Sequence, residues 1–236
     1  MILITRPKDL STNLKFKLEK KGYNVFQESF YKHQYLKKQI YNNPNTYYIF
    51  PSIHSVKSLI KSNQISKFRN SNILAIGKQV KKILKESGCK NITATFQDSS
   101  AMLKVICSFK NKRKEYIYLC SNIINEAFFT EAYKKKINIK KKIVYKTIGI
   151  QTLTKKLIES FRLNKINGVV FYSQFSVKIY IKLLAKYKVI PNSKSIEIYC
   201  LSERVAEPLR YKNIDNIYIS KKPNEQSLIS TIKKRR

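Results

Sequence analysis

Tyr48-Ile49-Phe50-Pro51-Ser52-Ile53-His54-Ser55-Val56 runs from an apolar, β-type stretch into a Ser-x-x-Ser-Val word that opens a helix, and Leu74-Ala75-Ile76-Gly77-Lys78-Gln79-Val80 repeats the strand-turn-helix step. The same two words return late in the chain as Val169-Val170-Phe171-Tyr172-Ser173-Gln174-Phe175-Ser176-Val177 and Tyr199-Cys200-Leu201-Ser202-Glu203-Arg204-Val205-Ala206. Residues 45–92 and 167–217 therefore each spell strand, helix, strand, helix, strand. A supersecondary pattern duplicated on that scale predicts two similar α/β lobes.

Outside the duplicated words the same alternation continues. Apolar runs at residues 2–5, 24–27, 47–50, 73–76, 92–95, 116–119, 143–147, 169–172, 196–201 and 216–219 read as strands. Helices are expected near 10–21, 55–62, 79–87, 99–108, 126–135, 153–161, 177–187, 203–211 and 225–233. The first of these shows the logic: Leu10, Leu14 and Leu18 fall at fourfold spacing on one helical face, and Gly22 supplies the stop. Strands alternating strictly with helices predict parallel sheets covered by helices on both faces.

With 236 residues, 43% of them hydrophobic, the chain can fill one large core or two small ones. The longest apolar runs are about a quarter of the ~20 residues a bilayer requires, so no membrane span is expected. The start, Met1-Ile2-Leu3-Ile4-Thr5-Arg6-Pro7, goes straight into a strand and lacks the marks of a signal peptide, which makes the cytoplasm the expected compartment. Cys89, Cys107, Cys120 and Cys200 are far apart, with no Cys-x-x-Cys and only His33 and His54 to complete a metal site, so neither a zinc site nor a disulfide framework is expected. The net charge of +34 arises from 48 Lys+Arg against 14 Asp+Glu. An excess of that size points to an anionic partner where it is clustered. Here it is mostly Lys spread through an Ile-, Asn- and Tyr-rich chain, as AT-rich coding would produce.

In open parallel sheets ligands bind beyond the carboxyl ends of the strands. The groups standing there are Thr5-Arg6, Ser52, Gly77, Ser121-Asn122, Ser173 and Ser202, each just before an expected helix. Unpaired N–H groups and the positive end of the helix dipole suit such places to carboxylates or phosphates. A serine there also serves as a plain N-cap worth about 1 kcal/mol, and both roles stay open. Nucleotide binding has no motif, because neither Gly-x-Gly-x-x-Gly nor a P-loop is present. The three aspartates, Asp9, Asp98 and Asp215, are not paired with Glu or His, so metal-assisted hydrolysis and two-carboxylate catalysis lack their parts. His54 reads as a loop residue after the strand end. Such a site suits a reactive substrate that needs chiefly to be held in one geometry.

Taken in order, these words resemble the uroporphyrinogen-III synthase family along essentially the whole chain. Ile2-Leu3-Ile4-Thr5-Arg6-Pro7 is similar to the family's apolar strand with Thr-Arg-Pro, Gly22-Tyr23-Asn24-Val25 to its Gly-x-x-Val, and Ile49-Phe50-Pro51-Ser52 to its Phe-Thr-Ser strand end. Ala75-Ile76-Gly77, Ile143-Val144-Tyr145-Lys146-Thr147, Phe171-Tyr172-Ser173, the word at 200–206 and Lys222-Pro223-Asn224 follow the family's later words. The chain departs from them at Val80 and Val205 in place of Thr, at Ser202 in place of Gly, and at Cys120-Ser121-Asn122 in place of a Gly-plus-basic turn, which leaves backbone amides as the binding groups there.

The resemblance implies two parallel-sheet α/β lobes joined by a two-stranded connector, the first lobe discontinuous. On this chain that means residues 1–31 plus 148–236 for the first lobe and 36–143 for the second, with connectors near 32–35 and 144–147. It implies a cofactor-free, metal-free monomer with its substrate between the lobes. The implied reaction closes the linear, carboxylate-rich tetrapyrrole hydroxymethylbilane to uroporphyrinogen III. The terminal hydroxyl leaves to give an azafulvene, ring D attacks through its substituted α carbon, and a spiro-pyrrolenine reopens and recloses with ring D inverted. Tyr145 matches the family tyrosine that gives the leaving hydroxyl a proton, while Arg6, Ser52, Gly77, Ser121, Asn122, Ser173 and Ser202 are expected to hold the substrate. Handover from hydroxymethylbilane synthase is the implied partnership, with neither nucleic acid nor membrane involved. Two other readings stand beside it: a basic nucleic-acid-binding module, for which the one dense terminal cluster is Lys233-Lys234-Arg235-Arg236, and a non-catalytic two-lobe binder of an anionic small molecule.

Overall fold

A computed structural model describes residues 1–108, 114–189, 196–210 and 216–233. Among them the chain divides into two compact units, Met1–Lys32 with Ile148–Arg236, and His33–Thr147.

In the first unit a five-stranded sheet has the order β11-β10-β9-β1-β2. Its strands are β1 (Ile2–Ile4), β2 (Val25–Gln27), β9 (Gly168–Phe171), β10 (Glu197–Cys200) and β11 (Ile217–Ile219). Every pairing is parallel: Leu3 sits between Phe26 and Val169, and Tyr199 between Val170 and Tyr218. Because successive side chains alternate faces, both sides of so apolar a strand must be covered. Leu3, Val169, Phe171 and Ile198 pack on one side against α6 (Lys155–Arg162), α7 (Gln174–Lys186) and α8 (Glu203–Arg210). Ile2, Ile4, Val170 and Tyr199 pack on the other against α1 (Thr12–Glu19) and α9 (Glu225–Lys233). Burying each such side chain contributes roughly 1.5–3 kcal/mol.

The second unit holds a six-stranded sheet of order β3-β8-β7-β4-β5-β6. These strands are β3 (Tyr31–Tyr35), β4 (Thr46–Phe50), β5 (Asn72–Ile76), β6 (Ile92–Phe96), β7 (Glu115–Ser121) and β8 (Ile139–Gly149). From β8 to β6 all pairings are parallel. Tyr48, Phe50, Ile73 and Ala75 face α2 (Ile53–Lys61) and α3 (Lys78–Glu86), while Ile49, Leu74, Tyr116 and Tyr118 face α4 (Ser99–Ser108) and α5 (Glu126–Lys134). The chain passes from one unit to the other within β3 and returns within β8, and these two strands are neighbours.

The two-lobe parallel α/β architecture expected from the alternation is the one observed. Its local departures have physical causes. No helix intervenes between β2, β3 and β4. Residues of β3 alternate between half-buried and exposed, the pattern of an edge strand, and so escape a search for apolar runs. β8 begins at Ile139, ahead of the expected 143, because Lys140, Lys141 and Lys142 disguise a strand whose lysine faces are solvated. α2 starts at Ile53, a β-branched residue that reads as strand, and residues 8–10 form a separate 3-10 turn before α1. The expected helix end at Tyr211, Asp215, and the terminal residues 234–236 lie outside the described residues.

Candidate functional site

Strand order decides where a ligand can enter. Numbered by their order in the chain, the strands of the first unit lie 2-1-3-4-5, with β1-α1-β2 wound over one face and β9-α7-β10-α8-β11 over the other. Helices leaving in opposite directions open a crevice between β1 and β9. The second unit, apart from the edge strand β3, runs β8-β7-β4-β5-β6. That is the same sheet circularly permuted, with β7 and β8 in the places of β1 and β2, and its crevice falls between β7 and β4. Ser52 stands where Ser173 does, Gly77 where Ser202 does, and Ser121-Asn122 where Thr5-Arg6 does.

In the second unit the crevice is a cavity of about 180 Å³ whose wall includes Ser52, Ser99, Tyr118, Ser121, Asn125 and Tyr145. Tyr145, 7% exposed, hydrogen-bonds through its phenol to Ser52. Burial pushes its pKa above the usual tyrosine value and the Ser52 bond pulls the other way, so the group is a protonated donor at neutral pH. Ser52 also caps α2, accepting from the His54 amide at 3.2 Å. Ser121 Oγ donates to Asn122 Oδ1 at 3.0 Å and meets Thr147 Oγ1 at 3.0 Å, while Asn122 Oδ1 accepts the Thr147 amide at 2.7 Å. Asn122 thus pins the end of β8 to that of β7. Cys120 beside them is not a nucleophile at neutral pH, since burial pushes its thiol up to about 11.

In the first unit the Arg6 guanidinium lies 4.5 Å from the centroid of the Tyr172 ring and hydrogen-bonds to the phenols of Tyr31 and Tyr172. Tyr172 in turn donates to Glu225 Oε2 at 3.3 Å. A guanidinium laid on an aromatic face and steadied at its edge is pre-oriented for a carboxylate. Ser173 is occupied as the cap of α7, accepting from the Ser176 amide at 3.2 Å. Thr5 is structural, its buried hydroxyl donating to the Val170 carbonyl at 2.8 Å.

Gly77 and Ser202 end the next strands outward. Gly77 has φ +94° and ψ 142°, and its amide donates to the Phe96 carbonyl at 2.8 Å. The Ser202 carbonyl accepts from the amides of Val205 and Ala206 at 3.0 and 3.2 Å. A Cβ at Gly77 would meet nothing within 4 Å, so glycine is required there by backbone conformation alone. Gly77→Ala is expected to cost about 1–3 kcal/mol, readable as a lower urea midpoint at unchanged m-value.

The sequence does not foreshadow the aromatic surroundings of Tyr145. His54 is buried in the first turn of α2 rather than in a loop, because Ile53 already belongs to the helix. Its ring centroid lies 3.7 Å from that of His33 on β3, and both imidazoles flank Tyr145 at 5.7 and 5.6 Å. Tyr172 and Glu225, which hold Arg6, also come from separate stretches. For Tyr172, His54 and Glu225 the only signal is position, next to a strand end or in the first turn of a helix, and His33, mid-strand on β3, has none.

Two doubly wound parallel sheets, with the Tyr145 phenol beside one switch point and the stacked Arg6 guanidinium beside the other, place the chain among two-unit parallel α/β proteins. A family model described as uroporphyrinogen-III synthase HemD matches residues 3–230. This chain belongs to the uroporphyrinogen-III synthase family. Among solved structures, uroporphyrinogen-III synthetase from Helicobacter pylori is similar with TM-score 0.70 and 15% identity, covering 100% of this chain and 99% of that one. A mutant uroporphyrinogen III synthase from Thermus thermophilus is similar with TM-score 0.59 and 11% identity, covering 99% and 97%. No curated protein matches the chain. Among the described residues no helix is long and apolar enough to cross a membrane.

Proposed function

We infer that this chain performs the reaction of its family, closing hydroxymethylbilane to uroporphyrinogen III with loss of water and inversion of ring D, a step of haem biosynthesis. The observation that carries the residue-level reading is the buried, protonated Tyr145 phenol on the wall of the β4/β7 crevice, hydrogen-bonded to Ser52. Its proton goes to the terminal hydroxyl as the carbon–oxygen bond breaks and water leaves. The pyrrole nitrogen supplies the electron pair that forms the azafulvene. Ring D attacks through its substituted α carbon, and the spiro-pyrrolenine fragments and recloses. Reclosure bonds the free α carbon of ring D to the chain, and the proton that carbon loses as the pyrrole of ring D regains aromaticity returns to the phenolate, which balances the cycle.

Arg6 is assigned to a substrate carboxylate, with the strand-end groups at Ser52, Gly77, Ser121, Asn122, Ser173 and Ser202 shaping the rest of the binding surface. Since Ser52, Ser121, Asn122 and Ser173 are engaged within their own unit, they act chiefly by fixing helix ends and strand ends. Arg6→Gln is expected to raise KM about tenfold, the scale of one charge-assisted hydrogen bond, with kcat changed less than about threefold. Steady-state kinetics over a substrate series checks this. We further assign the chain a monomeric, cytoplasmic working form that takes its substrate from hydroxymethylbilane synthase, because free hydroxymethylbilane closes unaided to the symmetric isomer.

The test generates hydroxymethylbilane in situ from porphobilinogen with a deaminase, adds this protein, oxidises the products and separates the porphyrin isomers by chromatography. Predominant isomer III supports the reading. Isomer I alone, the product formed without enzyme, overturns it.

A further inference from the structure

The sequence contains two histidines, and the fold stacks them against each other beside the phenol assigned to the reaction. His33 lies on β3 and His54 on α2; their ring centroids are 3.7 Å apart with planes inclined at 34°. Tyr145 meets the His33 ring edge-on at 75° and the His54 ring at 43°. Each imidazole is also tied by a hydrogen bond. His54 Nδ1 is 3.0 Å from Tyr35 Oη, and His33 Nδ1 is 3.2 Å from Thr147 Oγ1.

The hydroxyl chain fixes which way the second bond runs. Asn122 Oδ1 is an acceptor, receiving the Thr147 amide at 2.7 Å, so it also receives the single Ser121 hydroxyl hydrogen at 3.0 Å. Ser121 Oγ, already accepting the Ile123 amide at 3.3 Å, has no second hydrogen to give. Thr147 must therefore donate to Ser121 at 3.0 Å, and its lone pair faces the His33 Nδ1–H. The assignment in which every one of these contacts is a hydrogen bond puts the His33 hydrogen on Nδ1. His33 heads a directed chain, His33 to Thr147 to Ser121 to Asn122, that meets the cavity wall at Ser121.

We propose that His33 and His54 are positioning residues for Tyr145: the stacked imidazoles wall its ring, and His33 locks β8, through Thr147, into the register that aims the phenol into the crevice. Thr147 is two residues beyond Tyr145 on the same strand, so holding one hydroxyl orients the other side chain. Neither imidazole is required to touch the substrate. The inference rests on the proposed role of Tyr145 and deepens it.

A double-mutant cycle in the isomer assay separates positioning from general stability. His33→Ala is expected to lower kcat for isomer III about tenfold, the scale of a small misplacement of a reacting group, with KM changed less than about twofold. In the Tyr145→Phe background the same change should cost less than about twofold, because the phenol it positions is already gone. His33→Asn, which returns a donor near the Nδ1 position, should recover part of the lost rate, whereas His33→Phe returns only the ring. If His33→Ala unfolds, Thr147→Val breaks the same chain and carries the same expectation. Equal factors in the two backgrounds overturn the positioning role while leaving the synthase reading intact. Isomer I alone from the wild-type chain overturns the synthase reading and this inference with it.

Discussion

Replacing Tyr145 by phenylalanine is expected to lower kcat for isomer III by about 10²-fold, the lower end of what a positioned general acid contributes, while KM stays within about threefold. The change removes one oxygen from a side chain 7% exposed and keeps the ring that packs on His33 and His54, so the fold should survive it. Residual turnover is expected because the azafulvene forms from an intrinsically reactive substrate and the cavity still holds it. The pH profile gives an independent check. Burial raises the Tyr145 pKa, so the proton-bearing form persists to higher pH than in a free phenol. The wild-type rate should consequently show no alkaline loss from this group below about pH 10. A fall centred well under that value would assign the proton to another residue.

The largest stability effect is expected at Tyr180, in the core of the first unit. Its ring is 2% exposed and meets those of Phe30, Phe161 and Phe171 at centroid separations of 6.0, 6.2 and 5.1 Å. Tyr180→Ala would remove the shared neighbour of three aromatics and leave a cavity, at a cost of about 3–5 kcal/mol. Against a total of roughly 5–15 kcal/mol for a typical domain, that is enough to leave the first unit partly unfolded at ambient temperature. Urea unfolding followed by circular dichroism measures it. Tyr180→Phe, which keeps the ring, should differ from wild type by no more than about 1 kcal/mol.

The features of this protein that can be read along the chain are those carried by period and punctuation. Parallel strands buried on both faces read as short unbroken apolar runs, as at Ile2–Ile4 and Gly168–Phe171, and the helices between them announce themselves by leucine spacing. The repeat at Ser52 and Ser173 is legible because both serines cap a helix directly after a central strand. The permuted match of β1 to β7 is not, because Ile4-Thr5-Arg6 and Cys120-Ser121-Asn122 share no residue and stand on opposite sides of their repeats. At the candidate site the same division holds. Arg6 and Ser121 are visible as strand ends, but the imidazole pair depends on an edge strand and a helix start that local pattern obscures. Tyr145 stands out only through its resemblance to the family word, since nothing in its own segment says that Ser52 will meet it.

The place of β1 in its sheet has a consequence for the order in which the protein can be made. β1 lies in the interior of the sheet, paired on one side with β9, and the Thr5 hydroxyl reaches a carbonyl 165 residues away. On a ribosome adding about 5–20 residues per second, the first segment emerges on the order of ten seconds before its central partner exists. Residues 33–147 are contiguous and can fold during that interval. Leu3, Ile4, Leu14 and Leu18, all completely buried at the end, must wait exposed to the cellular milieu. Nascent-chain quality control is therefore expected to act on the opening segment of this protein more than on any later one, and its unit that begins first is the one completed last.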